Sequence, residues 1–284
     1  MTGRVDRRVR KSTARSRFLG AQLRARREAA GWTQPQMARR MGWVATTISR
    51  IETGSGRVAT TNLITYLAVC GIVGADQAAL IALADGYLDD WWLCPHGAVG
   101  PDELSPLRFT CTTADSIAVY HPGSVPDLLQ SQEFSCWLHG PDEVQARLGR
   151  QQVLYRRTPC DWTFYLPESL LHTLPGPPEV RGDQLMHLAL LIMQHHIDIR
   201  VLPTGAEHQL SSVGGRFWLF GFADHQPTVC VQNDTVSMFG ERDADVVVYQ
   251  QIVRELDALA LPDRQSADLI LQLANAAPPA VAGH

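Results

Sequence analysis

The clearest pattern of apolar and polar positions in this chain lies in the stretch GWTQPQMARRMGWVATTISRIETG, where hydrophobic residues recur at helical spacing. Thr33 followed by Gln36 forms a capping box, in which the hydroxyl bonds the Gln36 amide and the Gln36 side chain reaches back. Pro35 falls in the first turn, where a missing N–H costs little. A helix is therefore predicted from Gln34, with Met37, Ala38 and Met41 as its apolar stripe. Gly42 ends it, because the tight turn that follows needs a left-handed backbone. A second helix is predicted over 45–52, with Ile48 and Ile51 facing inward. Counted from Gln34, a small residue stands at place five (Ala38), glycine at place nine and a branched aliphatic at place fifteen (Ile48). Two helices that cross steeply after a short turn need these features together: Ala38 for close approach, Gly42 for the turn, Ile48 as the lock.

Beyond residue 88 the pattern changes. The segment LDDWWLCPHGAVGPDELSP is acidic, turn-rich and broken by three prolines, and reads as an interdomain connection over 89–106. Residues 115–120 fit either strand or helix, helices are expected at 127–138 and 141–157, and TFYLP (163–167) reads as a strand. An amphipathic helix follows at 178–195, then strand-like alternation at 197–203, 216–222 and 228–233. Residues 241–260 and 263–274 read as helices, and an Ala/Pro-rich disordered tail occupies 276–284. Few strands with helices between and after them predict an α+β domain over 107–275.

The length of 284 residues suits two domains, and 45% hydrophobic with 19% charged residues is ordinary for a folded soluble chain. No apolar run reaches the ~18–20 residues of a membrane helix. The start, MTGRVDRRVRKSTARSR, has no apolar core behind its basic residues and is no secretory signal, so the cytoplasm is the expected location, with no membrane partner. Six scattered cysteines without a C-x-x-C pair are expected to be reduced thiols. Charge is the informative quantity. Residues 1–57 hold 14 arginines and lysines against three acids, a net of +11, which leaves −15 on the remainder. Such polarity places a polyanion partner at one end of the chain, with residues 1–15 either a basic arm on that partner or a solvated disordered tail.

The stretch from LRARREAAGWTQ through SRIETG to NLITYLAVCGI resembles the XRE family of helix-turn-helix regulators, which contains phage repressors. The resemblance implies an all-α, five-helix DNA-binding domain over 16–88, with helices near 16–30, 34–41, 45–52, 60–70 and 75–87. It also implies that the 45–52 helix enters the major groove of double-stranded DNA, so that Ala45, Thr46, Ser49 and Arg50 meet base edges. Arg50 is the strongest base reader, since its fork can donate both hydrogen bonds to guanine; an internal salt bridge with Glu52 or Glu28 is the competing role. Gln34, at a positive helix end, is expected on a phosphate or base edge, and Thr47 and Arg57 on phosphates. Ala45 offers only a methyl group. The arginines at 4–17 either follow the DNA backbone, enter a minor groove or stay idle. Trp32 and Trp43 are expected to pack rather than stack on bases.

In the second half, VPDLLQS (125–131), ARLGRQQVLYR (146–156), PESLL (167–171), GDQLMHL (182–188), IRVLP (199–203) and SADLI (266–270) resemble, in order and spacing, the C-terminal domain of WhiJ-like, antitoxin-like actinobacterial regulators. Asp127 departs from that family's usual glycine. The resemblance implies control of nearby genes, often with a small partner protein encoded by a neighbouring gene. Chemical constellations are weak here. His195–His196 beside Asp198 point apart in an extended or helix-end segment, and Asp161 with Glu168 lacks acid/base geometry. Gly214–Gly215 is too short to cradle a phosphate, and Ser211, Ser212 and His208 lack a nucleophile elbow. Phe217, Trp218, Phe220 and Phe222 suit core packing or the lining of a small effector pocket. No cofactor, metal or catalytic residue is expected. The leading function is a homodimeric transcription regulator on an inverted repeat, modulated through its C-terminal domain by a small partner protein or ligand. The alternatives are an antitoxin-like module that sequesters a small partner and autoregulates through DNA, and an enzyme targeted by a DNA-binding domain.

Overall fold

A computed structural model describes residues 12–56, 58–85, 91–96, 105–156, 160–210 and 215–276. Residues 1–11 of the expected arm, Arg57, most of the 89–106 connection, Ser211, Ser212, Gly214 and the tail from 277 lie outside the described residues. The chain falls into two compact units, the first running to Trp92 and the second taking most of the chain from Leu93.

The first unit is helical: α1 (Ala14–Ala29), α2 (Gln34–Met41), α3 (Ala45–Glu52), α4 (Thr60–Val69) and α5 (Gly74–Asp85). The bounds of α2 and α3 coincide with those expected, because their punctuation is local. Thr33 and Gln36 form the capping box, and Gly42 adopts φ 67° and ψ 27° while its N–H bonds back to the carbonyls of Ala38 and Arg39. Phe18, Leu23, Met37, Ile48, Leu63 and Leu67 form the dry interior, and Ala38 and Ile51 are buried beside them. α1 starts earlier than expected, since Thr13 and Ser16 form a second capping box that places residues 14 and 15 in the helix.

The second unit is α+β, around a seven-stranded sheet in the order β1-β7-β6-β5-β2-β3-β4. β1 is Trp91–Pro95, which spans the boundary between the two units, β2 Ser116–Tyr120, β3 Asp161–Pro167, β4 Ile197–Leu202, β5 Phe217–Gly221, β6 Thr228–Gln232 and β7 Val236–Gly240. β2, β3 and β4 run parallel, with Ile117 opposite Trp162 and Trp162 opposite Ile197. Their connections contain α7 (Gln132–His139), α8 (Pro141–Gln151), α9 (Glu168–His172) and α10 (Pro178–Ile192), the long crossovers that parallel pairing requires. α6 (Pro106–Thr113) precedes β2. β5, β6 and β7 form an antiparallel meander, joined to β2 with Val119 opposite Trp218. One sheet face packs Tyr120, Tyr165 and Phe217 against Ile252 and Leu256 of α11 (Asp243–Leu259). The opposite face carries an aromatic row in which Trp162 stacks on Phe164 and meets Trp218 edge-on, 6.4 Å between ring centres. Phe217, Trp218 and Phe220 of β5 are therefore buried, on alternating faces of the sheet.

α12 (Asp263–Ala276) closes the β4 edge. The Val201 N–H donates to Ser266 Oγ at 3.0 Å, and the Val201 carbonyl accepts from Leu261 N at 2.8 Å.

Several elements differ from expectation. Trp91–Pro95, inside the segment read as a connection, is an edge strand. The 127–138 helix is split: a 3-10 turn at Asp127–Leu129 gives way to α7, capped afresh by Ser131 Oγ. α8 stops at Gln151, and residues 152–155 form a 3-10 turn. α9 and β7 are additional; β7 follows a turn in which Asn233 Oδ1 accepts the N–H groups of Thr235 and Val236.

Candidate nucleic-acid interface

The turn between α2 and α3 fixes which side of α3 faces outward. Ile48 is fully buried, Ile51 nearly so, and Ala45, Thr46 and Arg50 are exposed. Thr47 and Ser49 are half-buried at the edges of that face. Val44, the residue before α3, supplies no side-chain cap, so the first-turn amides of α3 are not satisfied from that side chain. Arg50 makes no ion pair or side-chain hydrogen bond among the described residues. Neither competing partner is used on it: Glu28 pairs with Arg24, and Glu52 with Arg27.

Glu52 is the structural centre of the motif, and the sequence reading missed it. Its carboxylate, 1% exposed, takes a two-pronged ion pair from Arg27 of α1, Nε to Oε1 at 2.6 Å and Nη2 to Oε2 at 2.8 Å. Tyr66 of α4 donates to Oε1 at 2.7 Å, and Gln34 Nε2 of α2 donates to Oε2 at 2.9 Å. One side chain thus ties four helices together. Burial raises the Glu52 carboxyl, but the hydrogen bonds from Arg27, Gln34 and Tyr66 outweigh it and hold the group below the usual carboxylate range. The hydrogen bond to Glu52 raises the Arg27 guanidinium, and burial with Glu52 beside it raises the Tyr66 hydroxyl. Gln34 is accordingly held by α3, and its half-buried side chain is oriented before any ligand arrives.

Close backbone approach completes the arrangement. A Cβ on Gly20 of α1 would lie 2.5 Å from the Glu52 carbonyl oxygen, so only glycine fits there. Arg15 and Arg17, counted in the sequence among the arginines at 4–17 that either meet DNA or stay idle, make hydrogen bonds within the fold. Arg15 donates to the carbonyls of Leu83 and Ala82 at the end of α5, and the buried Arg17 donates to Ser12 O at 2.7 Å. Trp32 and Trp43 are half-buried, and the Arg40 guanidinium sits 4.1 Å over the Trp32 ring.

In the second unit, the His195–His196 pair divides as expected: His195 is exposed, while His196 Nε2 lies 2.8 Å from Leu154 O. Among the described residues, no group of three or more His, Cys, Asp and Glu side chains could hold a metal ion. Cys94, Cys111, Cys160 and Cys230 are buried free thiols, and Cys70 and Cys136 are half-buried free thiols. No described helix is long and apolar enough to cross a membrane.

Five helices, α2 and α3 among them as a capped, glycine-turned pair, make the first unit a helix-turn-helix domain of the DNA-binding regulator class, and a family model described as a helix-turn-helix domain matches residues 19–83. The chain belongs to the family described as a domain of unknown function (DUF5753), whose model matches residues 112–272, more than half of its length. No curated protein matches it.

Proposed function

We propose that the chain is a sequence-specific, double-stranded DNA-binding transcription regulator of the XRE type, with a WhiJ-like C-terminal domain. The observation that carries this reading is the outward display of Thr46 and Arg50 on α3 while Glu52, two residues past Arg50 and on the opposite side, anchors that helix to the domain. Arg50 reads a guanine, Thr46 and Ser49 meet neighbouring base edges, and Ala45 meets at most a thymine methyl. Gln34 contacts a phosphate or a base edge, and Thr47 and Arg57 contact phosphates. A helix of eight residues reaches only a few base pairs, so the protein acts as a homodimer on an inverted repeat. The C-terminal domain passes on a signal from a small partner protein or ligand and carries out no reaction. Selection of bound duplexes from a random DNA pool with the full-length chain tests this. Enrichment of an inverted repeat with half-sites about one helical turn apart is expected; no enrichment, or a lone half-site, overturns it.

A second reading is favoured by the net charge of −15 on the residues after 57. In it the acidic half sequesters a small basic partner, antitoxin-like, and DNA binding serves autoregulation. Repeating the selection with and without the neighbouring gene's product separates the two: a stable complex that leaves DNA occupancy unchanged favours sequestration.

A further inference from the structure

The second unit contains a cavity of about 670 Å³ that no DNA-directed residue lines. Its volume suits a small organic molecule. It lies by the antiparallel half of the sheet, with Trp218 of β5 and Phe239 of β7 as its apolar side. Arg147 and Arg150, on one face of α8, both bring a terminal nitrogen to Asp127 Oδ2, at 2.7 and 3.0 Å. Arg216 pairs with Asp234 on another part of the wall. The described lining therefore holds three guanidiniums against two carboxylates. Burial, with Arg216 beside it, keeps the lining His121 below the usual imidazole range, so that ring adds no charge near neutral pH.

The apolar side is fixed in advance. The Trp218 indole N–H donates to Gln232 Oε1 at 2.8 Å, and Gln232 Nε2 donates to Ser237 Oγ at 3.1 Å. The indole plane is thus held with its polar edge already satisfied, which lowers the entropy lost when a flat molecule settles beside it. A guanidinium fork carries five donors and matches a planar carboxylate, and one excess positive charge suits a monoanion better than a polyphosphate.

We infer that this cavity binds a small organic monoanion with a flat apolar body, its acid group held by Arg147 and Arg150 and its body beside Trp218 and Phe239. Asp127 occupies the place that the acid group takes and yields part of the arginine pair on binding. The turn bearing Asp127 is held independently, since Gln151 Nε2 donates to the carbonyls of Asp127 and Gln130 at 3.0 and 2.6 Å. Asp127→Asn therefore keeps the turn and removes the competitor.

The test uses the full-length chain without DNA, so its failure leaves the regulator reading standing. Anilinonaphthalene sulfonate, a flat monoanion, is titrated by fluorescence beside phenylnaphthylamine, which has the same rings and no charge. The anion is expected to saturate a single site and to bind at least about tenfold tighter than the neutral probe. Arg150→Gln is expected to weaken anion binding by roughly tenfold, and Asp127→Asn to tighten it, with neutral-probe binding unchanged in both. Thermal melts without probe establish that each variant is folded. If Arg150→Gln does not fold, the sign of the Asp127→Asn change and the charge preference of the unmodified chain decide alone. Equal affinity for the two probes, or an anion affinity that neither substitution moves, overturns the inference.

Discussion

Arg27 and Glu52 meet through two hydrogen bonds, with 6% and 1% of their side chains exposed, although 24 residues of chain lie between them. Water cannot stand in for either partner at such burial, so removing one leaves a charge stranded in the interior. Glu52→Ala or Arg27→Met should each lower unfolding free energy by about 3–5 kcal/mol, measured by urea denaturation. A loss under about 1 kcal/mol would show that the pair does not hold the helices. The pH dependence has a definite sign. Because the Glu52 carboxyl lies below its unfolded value, its contribution is present at neutral pH and disappears as pH falls through the folded value. Glu52→Gln should flatten the acid limb of stability against pH.

Arg50 and Arg57 should fail differently on DNA. Arg50→Ala is expected to lose about 1–3 kcal/mol on the selected site and to erase preference at one base pair. Arg57→Ala should weaken all duplexes alike and flatten the salt dependence by about one unit of slope. Binding titrations on the selected site and on single-pair variants, at several salt concentrations, check both. Loss of preference with Arg57→Ala, or its retention with Arg50→Ala, would reverse the assignment.

Gly20 and Gly42 are both glycine for different reasons, and alanine should separate them. At Gly20 the added methyl would strike the Glu52 carbonyl, 2.5 Å away, and should cost about 1–3 kcal/mol by forcing α1 away from α3. At Gly42 the space is open, and only the left-handed backbone resists, at about 1–2 kcal/mol. Gly20→Ala should also weaken DNA binding beyond its effect on stability, since it displaces α3, the helix proposed to enter the groove. Equal DNA affinities of the two variants would contradict this.

Asp198 on β4 points to a pH effect of the opposite sign. Burial, with Asp263 and Asp257 nearby, raises its carboxyl to about 6 despite Arg200. The folded state then binds the extra proton, so stability falls as pH rises from the unfolded value near 4 through about 6. Asp198→Asn should raise the melting temperature at pH 7 and leave it nearly unchanged at pH 4. A lower melting temperature at pH 7 would indicate that the Arg200 contact dominates instead.

The legible parts of this protein were those written within a few residues. Thr33, Gln36 and Gly42 delimit α2 and α3 by local hydrogen bonds and backbone preference, and alternation at 197–203, 216–222 and 228–233 found β4, β5 and β6. The hidden parts depend on partners far along the chain. Glu52 looked like a neighbour of Arg50, but Arg27 takes it because α1 crosses α3 at Gly20. Trp91–Pro95 looked like a connection because its strand pairing is supplied by β7, more than a hundred residues later. The break before Ser131 could have been read, since serine three residues ahead of Phe134 is an ordinary helix cap. Charge counting placed a basic end without showing that Arg15, Arg17 and Arg27 are used inside it.

The seal on β4 has a consequence for how the second unit is made. Until Leu261 and Ser266 have left the ribosome, the parallel half of the sheet ends in a bare strand able to recruit a like strand from another nascent chain. A chain cut just before Asp263 would keep all seven strands and every residue proposed to meet DNA, yet its characteristic failure would be insolubility.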